Sequence, residues 1–202
     1  NGTSEFVNQL AIAITTVVFN RSALLFAGED GVAAVSIIMY LQFLCIGIYF
    51  GFSMGLSTPL GYAYGDRNFS VCRVLEKYAY RFFAIAPIIL YGCTYLLAPI
   101  GVRFFASPGS TVFDMAVSGL RLYGLGFLFS GINIFAAIRM MTYGKGYISG
   151  MITFLRSFAL LLLFLTVLPR FLELNGIWLA VPAAEILTLI VALWTLRKKT
   201  VA

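Results

Sequence analysis

Charged positions in this chain are spaced so that long apolar runs alternate with short polar breaks. The longest run extends from Gly31 to Gly65 without a charge and ends at Asp66-Arg67-Asn68. At about 1.5 Å of helical rise per residue, only part of that run is needed to cross a hydrocarbon core of about 30 Å. The pattern predicts six membrane-spanning helices, at about 4–27, 32–60, 78–99, 112–140, 148–168 and 176–196. The breaks are 28–31, 65–68, 107–110, 143–146 and 169–176, and each carries the Gly, Pro or charge that ends a helix. The runs are continuous rather than alternating, which points to helices and away from barrel strands. The fold class is therefore an all-α membrane protein, a single six-helix bundle. The stretch 69–80 sets Arg73, Glu76 and Lys77 beside Val71, Val74, Leu75 and Tyr78. It reads equally well as an amphipathic segment along the interface or as the charged start of the third span.

Composition agrees with that pattern. The 202 residues are 61% hydrophobic and 11% charged, with a mean hydropathy of +0.95; soluble domains carry about 25% charged residues. The net charge of +6 does not imply a nucleic-acid partner, because the basic residues are read as lying at helix ends. One side collects Arg67, Arg73, Lys77, Arg81, Arg139, Lys145, Arg156, Arg197, Lys198 and Lys199, and the other Arg103 and Arg170. That asymmetry predicts an integral, multi-pass cell-membrane protein with both ends of the segment cytoplasmic. There is no histidine, so histidine-based metal, acid–base and triad chemistry is absent from the chain. Cys45, Cys72 and Cys93 have no metal-ligand spacing and read as small packing residues. No metal site and no cofactor is expected. The chain opens at Asn1 without a Met and reads as part of something longer.

Polar groups within apolar spans are the functional candidates, because each costs about 2.5–3.5 kcal/mol near the bilayer centre when ionised. Glu185 stands in the sixth span, close to Pro182, as a helix–helix hydrogen-bonding group or as a proton or cation site. Glu5, Asn8, Gln9, Thr16 and Asn20 share a stripe of the first span that faces a partner helix or a wet cavity. Tyr40 and Gln42 in the second span and Asn133 in the fourth extend the same polar lining. Asp114 and Arg121 share a face of the fourth span as candidate charge partners, although their spacing is long for direct contact. Gly47, Gly51 and Gly55 form a ladder suited to close helix packing. A cavity with polar groups and aromatic walls suits cationic or amphipathic organic molecules. No nucleophile–base pair is evident, so an enzyme is the least supported reading.

The chain resembles the multidrug and toxic compound extrusion family. The resemblance rests on Gly28-Glu29-Asp30-Gly31-Val32-Ala33-Ala34, Tyr64-Gly65-Asp66-Arg67-Asn68, Gly131-Ile132-Asn133 and Tyr143-Gly144-Lys145-Gly146. Asn175-Gly176-Ile177-Trp178 and Pro182-Ala183-Ala184-Glu185 complete the series. It implies the C-terminal lobe of a twelve-helix, pseudo-symmetric transporter, partnered by an N-terminal lobe of the same polypeptide. It also implies export of cationic or amphipathic compounds in exchange for Na⁺ or H⁺, by alternating access. Some members carry an acidic residue where this chain has Gly131-Ile132-Asn133, which shifts ion coupling toward the other lobe. Two alternatives stay open at this point. One is a lipid-linked oligosaccharide flippase, which requires a cationic cavity. The other is a stand-alone six-helix oligomeric channel or scaffold.

Overall fold

Two sharp reversals, at Gly28 and Glu173, organise the bundle. The structure, a computed structural model, describes the backbone of residues 2–197 and the side chains of residue 11 and residues 13–196. α1 (Gly2–Gly65) is one helical trace broken at Gly28, where φ is 61° and ψ is −152°. α7 (Pro169–Arg197) is broken in the same way at Glu173, with φ 50° and ψ −129°. In each case the glycine three residues later lies against the arm that precedes the break. A Cβ on Gly31 would stand 2.7 Å from the Ala23 carbonyl oxygen, and one on Gly176 would stand 2.5 Å from that of Leu168. Both turns thus use the same spacing: a kink residue, a glycine at +3 and a carbonyl at −5.

The two turns differ in one respect. Gly28 occupies positive φ without steric cost, whereas Glu173 carries a side chain there. Glu173 is exposed, so its side chain provides little packing in return. Glu173→Gly is expected to stabilise the protein by about 1 kcal/mol by releasing backbone strain. Gly176→Ala is expected to destabilise it through the clash with Leu168. Thermal unfolding in detergent, followed by circular dichroism, checks both.

The other elements are α2 (Phe69–Arg103), α3 (Thr111–Tyr123), α4 (Phe127–Thr142), α5 (Gly146–Phe154) and α6 (Leu160–Val167). Asn68 caps α2 by accepting the Val71 N–H, and Ser110 caps α3 by accepting that of Phe113. A 3₁₀ turn, Gly124–Gly126, joins α3 to α4, and a π-helical segment, Leu155–Ala159, joins α5 to α6. Among the described residues, five traces are long and apolar enough to cross a membrane: Ala13–Gly65, Phe69–Arg103, Thr111–Thr142, Gly146–Val167 and Pro169–Leu196. The first includes both arms of α1.

The α3–α4 rod is the most enclosed. Around it pack Phe19, Ile38, Tyr49 and Trp178, all at most 2% exposed. Glycines make that packing possible. A Cβ on Gly119 would meet both Ile38 and Trp178 at 2.8 Å, and one on Gly131 would meet Phe83 at 2.8 Å. The Gly47–Gly51–Gly55 ladder plays no such part. Nothing lies within 4 Å of a Cβ on any of the three, and all are exposed. This corrects the expectation that the ladder packs inside the bundle: it faces outward, beside exposed Leu44 and Ile48.

Candidate functional site

The π-helical segment determines what α5–α6 shows to the interior. Its wider turn shifts the register of the helix, a feature often found at functional positions. It carries Arg156 and Ser157, and both line a cavity of about 280 Å³ within the bundle. Thr15 and Phe19 come to this cavity from the first arm of α1, and Gln42 and Ile46 from the second. Tyr123, Phe127 and Ser130 enter from the α3–α4 rod, and Val181 and Glu185 from α7.

Glu185 is 3% exposed and makes the principal ion pair of the site. Arg156 Nη2 donates to Oε1 at 2.6 Å, and Nε donates to Oε1 at 3.1 Å and to Oε2 at 3.4 Å. The guanidinium thus rests chiefly on Oε1, through one short charge-assisted contact and one longer one. Asn133, fully buried, donates through Nδ2 to Glu185 Oε2 at 2.7 Å and to the Glu185 carbonyl at 2.9 Å. Its own Oδ1 is buried without a partner among the described residues. The carboxylate therefore ties α4, the π segment and α7 together, with one amide oxygen left open beside it.

The rest of the wall is held by local hydrogen bonds. Tyr123 donates its O–H to Gln42 Oε1, and Ser130 donates to the Gly126 carbonyl at 2.8 Å. Thr15 donates to the Ala11 carbonyl at 2.8 Å and reaches the Ser157 carbonyl at 3.4 Å. Aromatic surface from Phe19, Phe43, Tyr123 and Phe127 adjoins these polar groups.

The sequence-predicted residues divide accordingly. Thr16, Gln42 and Glu185 line the cavity, and Asn133 stands directly behind Glu185. Tyr40 is exposed and stacks on Phe105, with ring centroids 5.9 Å apart. Asn20 lines a separate outer groove with Arg21 and Glu29, so the stripe of the first span does not converge on one cavity. The side chains of Glu5, Asn8 and Gln9 lie outside the described residues. Asp114 and Arg121 form no ion pair with each other. Arg121 donates instead to the Tyr95 carbonyl at 3.3 Å and lies 4.8 Å from the centroid of that ring, while Asp114 is exposed near the α3 N-terminus.

Two charges grouped with the loop cations prove to be interior. Arg156 is the residue the sequence reading missed. It stands about 15 Å along the helix from Gly146. Arg139 is 3% exposed and pairs with Glu76.

The MatE family profile matches residues 6–168. The chain belongs to the MatE family. It is also similar to solved MATE structures of the MOP superfamily. An outward-facing multidrug resistance MATE transporter is 23% identical with a TM-score of 0.85, covering 96% of this chain and 44% of that one. An inward-facing one is 22% identical with a TM-score of 0.87, covering 96% and 45%. A MOP superfamily transporter from Pyrococcus furiosus Vc1, described as having a binding pocket of reversed polarity, is 22% identical with a TM-score of 0.85. No curated protein matches the chain. At these identities the structures establish the fold. The chain spans less than half the length of these transporters, so its six-helix expectation corresponds to one MATE lobe.

Proposed function

We propose that this MATE chain is the C-terminal half of a secondary antiporter that exports cationic or amphipathic organic compounds in exchange for Na⁺ or H⁺. The partner half is an N-terminal lobe of the same polypeptide, and the basic side of the bundle faces the cytoplasm. The observation that carries the reading is the buried Glu185 carboxylate on an aromatic-walled cavity, held by Arg156 and Asn133. A proton or Na⁺ reaching Glu185 competes with the Arg156 guanidinium for the same oxygens. Displacement of Arg156 frees the π segment from α7, which gives ion arrival a mechanical consequence. The open Asn133 Oδ1 adds a neutral oxygen beside that carboxylate.

The flippase reading gains one observation, Arg156 on the cavity wall. Glu185 neutralises that charge, so this cavity lacks the net positive field a pyrophosphate needs. The intact parent transporter, expressed in an efflux-deficient host, is expected to lower ethidium accumulation, and collapse of the Na⁺ or H⁺ gradient is expected to abolish the effect. Equal accumulation with and without the parent, across a range of cationic dyes, would count decisively against export of this class.

A further inference from the structure

Beyond transport, we propose that the first three turns of α2 form a binding site for the headgroup of an anionic phospholipid. α2 is too long for a single hydrocarbon crossing. It is uncharged from Phe82 to Val102, about 30 Å of helix, and that segment alone fills the bilayer core. Arg103 marks its other end. The preceding segment, Phe69 to Arg81, therefore stands in the headgroup layer and beyond it.

Arg73, Lys77 and Arg81 follow at intervals of four residues and share one face of that segment. Arg81 sits at the edge of the hydrocarbon, Lys77 about 6 Å further out and Arg73 about 12 Å. All three are exposed, and with Tyr80 and Ala84 they line an open groove of about 570 Å³. The acid in that groove, Glu76, does not offset them. Its Oε1 accepts both from Arg139 and from the Tyr143 O–H, so its charge is neutralised from the bundle side. Lys77 and Arg81 have no ion-pair partner among the described residues.

The adjoining face of the same helix is built for lipid. Val74, Tyr78, Ile85 and Ile88 are exposed and follow the basic stripe into the membrane. Tyr78 lies at the interfacial level that amphipathic aromatic rings prefer. One molecule can thus place a phosphodiester among Arg73, Lys77 and Arg81 and lay an acyl chain along Ile85 and Ile88. A phosphatidylglycerol-type headgroup matches this arrangement, whereas a zwitterionic choline headgroup brings its own cation to the stripe.

The test uses the full-length transporter reconstituted in vesicles of phosphatidylcholine with one part in five phosphatidylglycerol. Lipid retained by the purified protein is then read by native mass spectrometry. The wild type is expected to retain phosphatidylglycerol over phosphatidylcholine, and Arg73→Gln/Lys77→Gln/Arg81→Gln is expected to reduce that preference by at least about tenfold, since each cation near the surface contributes about fivefold. Lys77→Gln/Arg81→Gln removes no hydrogen bond among the described residues, and its melting temperature controls for folding. Arg103→Gln/Arg170→Gln, on the opposite side, is expected to leave the preference unchanged. Equal retention by the wild type and the triple variant overturns the proposal and leaves a solvated basic face. Displacement of the lipid by millimolar inorganic phosphate also overturns it, in favour of a soluble phosphate ligand.

Discussion

Glu185→Ala is expected to cost about 3–5 kcal/mol of stability, because it leaves the Arg156 guanidinium enclosed without its carboxylate. Asn133 loses an acceptor in the same step and keeps only the Glu185 backbone carbonyl. The net value of the intact pair is much smaller than the cost of breaking it, since two charges had to be desolvated to form it. The double replacement Arg156→Met/Glu185→Met is therefore expected to recover most of the loss. The comparison separates a structural role from a transport role. Glu185→Gln keeps the shape and an oxygen for Arg156 but removes the charge that the proposed ion coupling requires. It is expected to lose less stability than Glu185→Ala, because one oxygen still accepts from Arg156, while reducing dye efflux at least tenfold. Melting temperatures of the detergent-purified variants and efflux in cells check the two halves. Full efflux from Glu185→Gln would assign ion coupling to another group.

The membrane class and the family were legible because they rest on coarse features: uncharged runs of spanning length and a series of loop motifs in order. The candidate site was legible only in part, for physical reasons. Glu185 stood out because a carboxylate in an apolar span needs a partner. Arg156 was hidden among basic residues that do sit at helix ends, although its distance from Gly146 places it deep in its span. Asking which interior cation answers Glu185 is the signal that would have found it. The π segment left no sign, since Leu155–Ala159 contains no Pro or Gly and its backbone departs from α only through packing. Tyr40 and Asn20 failed to converge because helical periodicity assigns a face without identifying what that face meets. The outward glycine ladder carries the same lesson: small residues at fourfold spacing report a flat surface and say nothing about where its partner is.

Arg139→Ala is expected to cause the second large loss, again about 3–5 kcal/mol, by stranding Glu76 at the basic end of the bundle. Arg139 Nε donates to Glu76 Oε1 at 2.5 Å, and the Tyr143 O–H donates to the same oxygen at 2.6 Å. The Arg139 guanidinium also lies 5.2 Å from the centroid of the Tyr143 ring, and Tyr143 packs on Tyr64 at 4.5 Å. The cluster thus joins α2, α4 and the end of α1. Burial first, and the hydrogen bond to Glu76 second, raise the Tyr143 phenol above its ordinary value. A group whose folded-state value is raised contributes stability that is complete below its unfolded value, about pH 10, and that is lost as pH climbs toward the folded value. The Tyr143 contribution should therefore be flat through neutral pH and decline only above about pH 10. Tyr143→Phe keeps the packing on Tyr64 but removes the donor, at a cost of about 1.5–3 kcal/mol for a hydrogen bond to a charged group. It should also flatten the alkaline decline in a melting-temperature series taken from pH 7 to pH 11. A wild-type decline that persists unchanged in Tyr143→Phe would place that titration on a different group. Glu76→Gln/Arg139→Met, which removes both charges together, should melt closer to the wild type than Arg139→Ala does, because no ion is left buried alone.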